Sequence, residues 1–332
     1  MSFSRLSHRI LAASLSVALA APLLAACSAT GGDQFSEHGD ALDQAVALPV
    51  DASRIDVLDP GAGEARLLAY RDVTTSGQEV TVAVSEGFSQ TVVRADAVEE
   101  EAPLGGSVDT LTLPLTGVAT PAEEPVEGEQ EATRSLSFRV SAAEASDLNL
   151  MEDLRTTEGF RFGWRAEDTG QVSTVELAAP EGATDDGRSL VEAAVMKVLA
   201  APVIFPEEEL GVGAIWSVDS RVTGDATMLQ TTTYTVTALD GDRVELTVEV
   251  QQRPALGALS LEGVTGAEEL EEQALTVLNS HTTSQGELTL DLTQPLPVDG
   301  ALTFTTRVVY GGADEARIVQ DTTTALEFSA ES

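Results

Sequence analysis

From residue 64 to the end, the chain is a succession of short apolar/polar alternations with a period of two, each closed by Gly, Asp or Pro. Such a pattern leaves little choice of fold, because alternate side chains of a strand point to opposite faces and only one face can be buried. The expected strands cover 65–73, 79–85, 89–94, 108–115, 135–140, 159–165 and 172–178. After one helix they resume over 214–222, 227–239, 243–251, 275–283, 287–293, 302–310 and 316–328. Asp240-Gly241, between two alternating runs, predicts a hairpin with a tight primed turn, since Gly tolerates the positive φ this turn needs. Strands following one another at this spacing predict a mainly β fold, an antiparallel sheet forming an open half-barrel or a sandwich, with one central apolar helix. A hydrophobic content of 42% against 22% charged residues supports a core, and 332 residues allow one large domain or two smaller ones.

The charge balance removes whole classes of function. With 18 Lys+Arg against 55 Asp+Glu the net charge is -37, so no basic face for nucleic acid is available. One Cys excludes disulfides within the chain and cysteine-based metal sites, and three His argue against a metal enzyme; no metal or cofactor is expected.

The N-terminus reads as an export signal: Arg5 and Arg9, then an apolar run over 10–21 too short to span a bilayer. It closes with Leu24-Ala25-Ala26-Cys27, which resembles the lipobox of bacterial lipoproteins. That resemblance implies that Cys27, the only cysteine, is lipidated and becomes the first residue. Removing Arg5 and Arg9 with the signal leaves 16 basic groups against 55 acids, with Lys197 the sole lysine. Such a surface is repelled by anionic headgroups, so attachment to the cell membrane falls to the lipid anchor. The expected organisation is therefore a signal over 1–26, a flexible acidic stalk over 27–63, an N-terminal β half over 64–185, and a helix plus C-terminal β half over 186–332. Two acidic inserts, at 99–106 and 121–131, lack the spacing of a calcium loop and are expected to be mobile and solvated. A faint echo between 169–177 and 284–292, each a polar turn leading into a strand, hints at duplication.

The helix is expected over 189–200, with Ser189 and Glu192 in capping-box spacing and Pro202 ending it. Leu190, Val191, Ala193, Ala194, Val195, Met196, Val198 and Leu199 make it apolar nearly all round, so it should be buried against the sheet. In 159–165, Phe160, Phe162 and Trp164 share one face of a strand, opposite Arg161 and Arg165. A row of this kind is either core or the lining of a groove for a lipid or glycan. The chemistry of catalysis is thin: after signal removal His281 is the one histidine outside the stalk, which holds His38, there is no Gly-x-Ser-x-Gly elbow and no phosphate loop, and acidic pairs carry no information among 55 acids.

The stretch Pro206-Glu207-Glu208-Glu209-Leu210-Gly211-Val212-Gly213-Ala214-Ile215-Trp216, followed by Thr232-Thr233-Tyr234-Thr235-Val236 and Asp240-Gly241-Asp242, resembles an uncharacterised family of exported bacterial β-rich proteins. The resemblance implies exported β architecture and assigns no activity. More loosely, a lipoprotein with a long antiparallel sheet and a central helix resembles the half-barrel lipoprotein carriers, whose concave face holds acyl chains. The resulting expectation is a non-enzymatic, lipid-anchored envelope protein holding an apolar ligand, with Phe160, Phe162, Trp164, Met196 and Trp216 as its lining. The alternative is an envelope scaffold that binds a protein or a wall polymer.

Overall fold

In the computed structural model, residues 42–43, 45–74, 77–125, 130–222, 227–256, 258–259, 275–312 and 315–330 are described. They lie within a single compact unit, Asp33–Ser332. The signal, the lipobox residues Leu24, Ala25 and Ala26, and Cys27 lie outside the described residues.

In chain order the strands are β1 (Val46–Pro49), β2 (Arg54–Asp59), β3 (Ala62–Arg66), β4 (Gln78–Arg94), β5 (Asp109–Pro121), β6 (Arg134–Val140), β7 (Glu144–Ala145), β8 (Arg161–Ala166) and β9 (Val172–Ala178). The second half contributes β10 (Leu210–Val212), β11 (Ile215–Val222), β12 (Met228–Asp240), β13 (Arg243–Pro254), β14 (Ala258–Leu259), β15 (Leu275–Asp291), β16 (Asp299–Gly311) and β17 (Ala316–Ala330). Among the described residues two α-helices, α1 (Met151–Leu154) and α2 (Asp185–Leu199), complete the regular structure with a few 3-10 turns.

One antiparallel sheet runs β1-β9-β8-β6-β5-β4-β17-β16-β15-β13-β12-β11-β2, and β3 pairs separately with β10. The 64–185 and 186–332 halves are thus halves of one sheet and not two domains: the C-terminal strand β17 sits between β4 and β16 and joins them. The alternation expected from sequence sets the burial. In β13, Val244, Leu246, Val248 and Val250 point inward and are buried, and in β5 so are Leu111, Leu113 and Leu115. The β12–β13 hairpin turns at Gly241-Asp242, where Gly241 has φ +56°, as the first position of a type II′ turn requires.

Four expectations are corrected. The stretch from residue 42 to 63 is not a stalk: β1 pairs with β9 and β2 with β11, so this segment supplies both edges of the sheet. Its strands escape a sequence reading because they are short and carry Pro49 and scattered acids. The 284–286 turn does not exist either, since these residues lie within the continuous 17-residue β15. Gly286 is there for close approach, because a Cβ would meet Leu302 Cδ1 at 2.7 Å; the echo with 169–177 therefore has no structural counterpart. The first acidic insert is strapped to the outer face of the sheet. Arg307 donates to the carbonyls of Glu99 and Glu101, Thr283 to that of Ala102, and Gly105 N–H to Thr305.

Finally, α2 starts four residues before the expected Ser189, capped by Thr184, whose hydroxyl accepts from Gly187 N–H at 3.1 Å. Asp185 and Asp186 fill the first turn, where the helix dipole favours acids. It buries one stripe, Gly187, Val191, Ala194, Val195 and Val198, and leaves Ser189 and Ala193 exposed.

Candidate functional site: a cavity at the seam of the sheet

Every neighbouring pair on the main sheet is antiparallel, so its two edge strands, β1 and β2, point the same way. They are also consecutive in sequence, separated by residues 50–53 alone. Five peptide steps reach at most about 18 Å, so the sheet curls until its edges nearly meet. It stays open as a half-barrel, because β1 and β2 pair outward and not with each other. The chain hands its pairing from β9 to β11 across this gap. Val50 N–H still reaches Ser173 O at 2.9 Å, and the Gln130 side chain reaches Val50 O at 3.4 Å.

Beneath this seam lies a cavity of about 400 Å³. Leu48, Pro49 and Val50 form its roof, and Val172 and Val175 of β9 one wall. Met196 and Leu199 of α2 form a second wall, and Val218 of β11 and Tyr234 of β12 a third. The polar side chains Ser220 and Arg221 mark the rim, and Gln230 is buried within. The roof is thin, four paired residues long, with Val46 and Leu48 partly exposed.

The floor is the irregular segment 200–205 that follows α2. A buried loop must find partners for its carbonyls, and here side chains of β11, β12 and the segment after β3 supply them one by one. Gln230 Nε2 donates to Ala200 O at 3.1 Å, Tyr234 Oη to Pro202 O at 2.9 Å, Tyr70 Oη to Val203 O at 3.2 Å and Trp216 Nε1 to Ile204 O at 2.8 Å. With Phe205 these rings form a row: Tyr70 and Phe205 are tilted against each other at 5.6 Å, Phe205 and Trp216 at 5.9 Å, and Trp216 stacks on Tyr234 at 5.2 Å between centroids. Burial pushes the Tyr70 phenol up to about 12 and that of Tyr234 higher still, so both remain neutral donors.

A buried ion pair fixes this floor from outside. Arg134, at the start of β6, pairs with Asp72, donates through Nε to Glu167 O at 3.1 Å, and lies 4.0 Å above the Tyr70 ring. Asp72 is fully buried and Arg134 nearly so. Desolvation raises the Asp72 pKa against the attraction of Arg134, and the same desolvation lowers that of Arg134.

Of the five residues expected to line a ligand, the structure brings only Met196 to the cavity. Phe160, Phe162, Trp164 and Trp216 belong to the closed core and are 0%, 1%, 5% and 0% exposed. Phe138, Phe162 and Trp164 form a stack, with Phe138 5.4 Å from Phe162 and 5.5 Å from Trp164. Their face of β8 packs inward against neighbouring strands, so the aromatic row is core and not groove lining. His281 is remote from the cavity on the outer face, where its Nδ1 accepts from Ala102 N–H at 3.3 Å. Leu48, Val50, Val218 and Gln230 were missed, because nothing in a local pattern reveals that two edge strands meet.

Among the described residues no helix is long and apolar enough to cross a membrane, and no group of three or more His, Cys, Asp or Glu is placed to hold a metal ion. No protein-family model matches this chain, and no curated protein matches it. Function is therefore read from the cavity itself.

Proposed function

We propose that this protein is a non-enzymatic, lipid-anchored component of the bacterial cell envelope that holds an apolar ligand in the seam cavity. The observation that carries the reading is a well walled by Val172, Val175, Met196, Leu199 and Val218 beneath a roof of Leu48, Pro49 and Val50 at the end of the four-residue β1. An apolar void of this size inside an otherwise packed half-barrel favours occupation by apolar groups over water. The roof is held to the rest of the sheet by one short ladder and the contacts of Val50, so its displacement costs few interactions. Export and anchoring rest on Arg5, Arg9 and the Leu24-Ala25-Ala26-Cys27 box.

The test is to purify the full chain from a bacterial envelope, weigh it intact, and extract it with organic solvent. The expected result is a mature chain beginning at a lipidated Cys27, together with a co-purifying acyl compound that Met196→Trp, which fills the well, excludes. A chain with no bound compound in either form refutes the ligand reading, and an unmodified Cys27 refutes the anchor.

A further inference from the structure

We infer that the ligand is a single-chain anionic amphiphile, its one acyl chain in the seam well and its head against Arg221 and Arg253. The inference rests on the apolar-ligand reading above and narrows it on two observations. The first is volume. At about 30 Å³ for a water-sized group, 400 Å³ holds on the order of a dozen methylenes. That accommodates one chain of medium length and leaves no room for the second chain of a membrane phospholipid.

The second is charge at the mouth. The well shares Asp51, Ser220, Arg221 and Gln230 with a wider polar depression that Arg54 and Arg253 also border. Three arginines converge there on a chain with 18 basic residues and a net charge of -37. The facing carboxylates are Asp51 and Asp219, of which Asp219 accepts from the Thr231 hydroxyl at 2.6 Å. Arg54 pairs with Asp56 at 2.8 Å. Neither Arg221 nor Arg253 has a carboxylate partner among the described residues, whereas most other arginines of the sheet do. They flank Leu229 of β12, with which Arg221 of β11 and Arg253 of β13 both pair, so their backbones stand two strand spacings, about 10 Å, apart. A guanidinium pair in that position takes a carboxylate or phosphate head in charge-assisted hydrogen bonds, while the surrounding acidic surface repels any anion that lacks a chain to hold it.

The experiment uses the full chain in membranes and lauric acid with a photoreactive diazirine at its far end, with the insertion sites mapped by peptide mass spectrometry. A dodecanol probe with the same diazirine is the neutral comparison. The expected result is insertion of the acid into the peptides holding Met196, Leu199 and Val218. The alcohol should label them about tenfold less, and Arg221→Gln/Arg253→Gln should remove that difference. Both arginines are exposed, so an unchanged melting temperature in the double variant shows that the fold is intact. Equal labelling by acid and alcohol, insensitive to the arginines, overturns the anionic head and leaves the apolar ligand standing. Displacement of the laurate by a two-chain phosphatidate at matched concentration overturns the single-chain assignment. No labelling of the well by either probe removes both this inference and the reading beneath it.

Discussion

Trp216→Phe tests whether the interior of this half-barrel is built around the carbonyls of segment 200–205. The substitution keeps an aromatic ring at a position that is fully buried, but deletes the indole N–H that donates to Ile204 O at 2.8 Å. Leaving that carbonyl unpaired costs about 1–3 kcal/mol. The missing part of the ring adds about 2 kcal/mol, at roughly 0.8 kcal/mol for each methylene-sized group. The expected loss is therefore about 3–5 kcal/mol, which at roughly 2 °C for each kcal/mol in a domain of this size lowers the melting temperature by about 6–10 °C. Equilibrium urea unfolding followed by far-ultraviolet circular dichroism measures it, with the slope unchanged if only stability has moved. Tyr234→Phe removes the neighbouring donor, to Pro202 O, and its ring stacks on Trp216 at 5.2 Å. The double variant should accordingly depart from additivity by at least about 0.5 kcal/mol. A cost below about 1 kcal/mol for Trp216→Phe, or strict additivity with Tyr234→Phe, would refute the claim that these donors hold one segment.

Two further perturbations probe the same frame. Arg134→Met strands the buried Asp72 carboxylate and should cost about 3–5 kcal/mol in urea unfolding, with Asp72→Asn added to it recovering part of the loss. Because desolvation then raises Asp72 against its backbone hydrogen bonds alone, the single variant should gain stability as pH falls toward the ordinary carboxylate range; a flat profile contradicts the pairing. Burial raises Tyr70, Tyr234 and Tyr310, the chain's three tyrosines, so the native protein should show less phenolate absorbance at pH 10 than the unfolded chain. Since the unfolded chain releases those protons first, stability should be intact below pH 10 and fall as pH rises toward about 12. As much phenolate at pH 10 in the folded protein as in the unfolded chain would contradict the burial of these rings.

What the sequence determined by itself is whatever depends on neighbours along the chain. Period-two alternation fixed the inward faces of β5, β12 and β13, and Asp240-Gly241 fixed a hairpin, because side-chain direction and turn geometry are local properties. The aromatic row Phe160, Phe162 and Trp164 was legible as one face, but whether that face met a ligand or Phe138 depended on β6 lying beside β8. Strand β4 reads as two segments because Glu86 and Gly87 interrupt its alternation, yet continuous pairing with β17 makes it one. The tertiary structure alone decided that 46–49 and 54–59 are the two edges of one sheet. Their pairing partners lie more than a hundred residues away, and no local propensity encodes that distance. The cavity follows from the same fact. A sheet of this length accumulates twist until its edges approach, and where two short strands meet over the end of α2 there are too few side chains to fill the space between them.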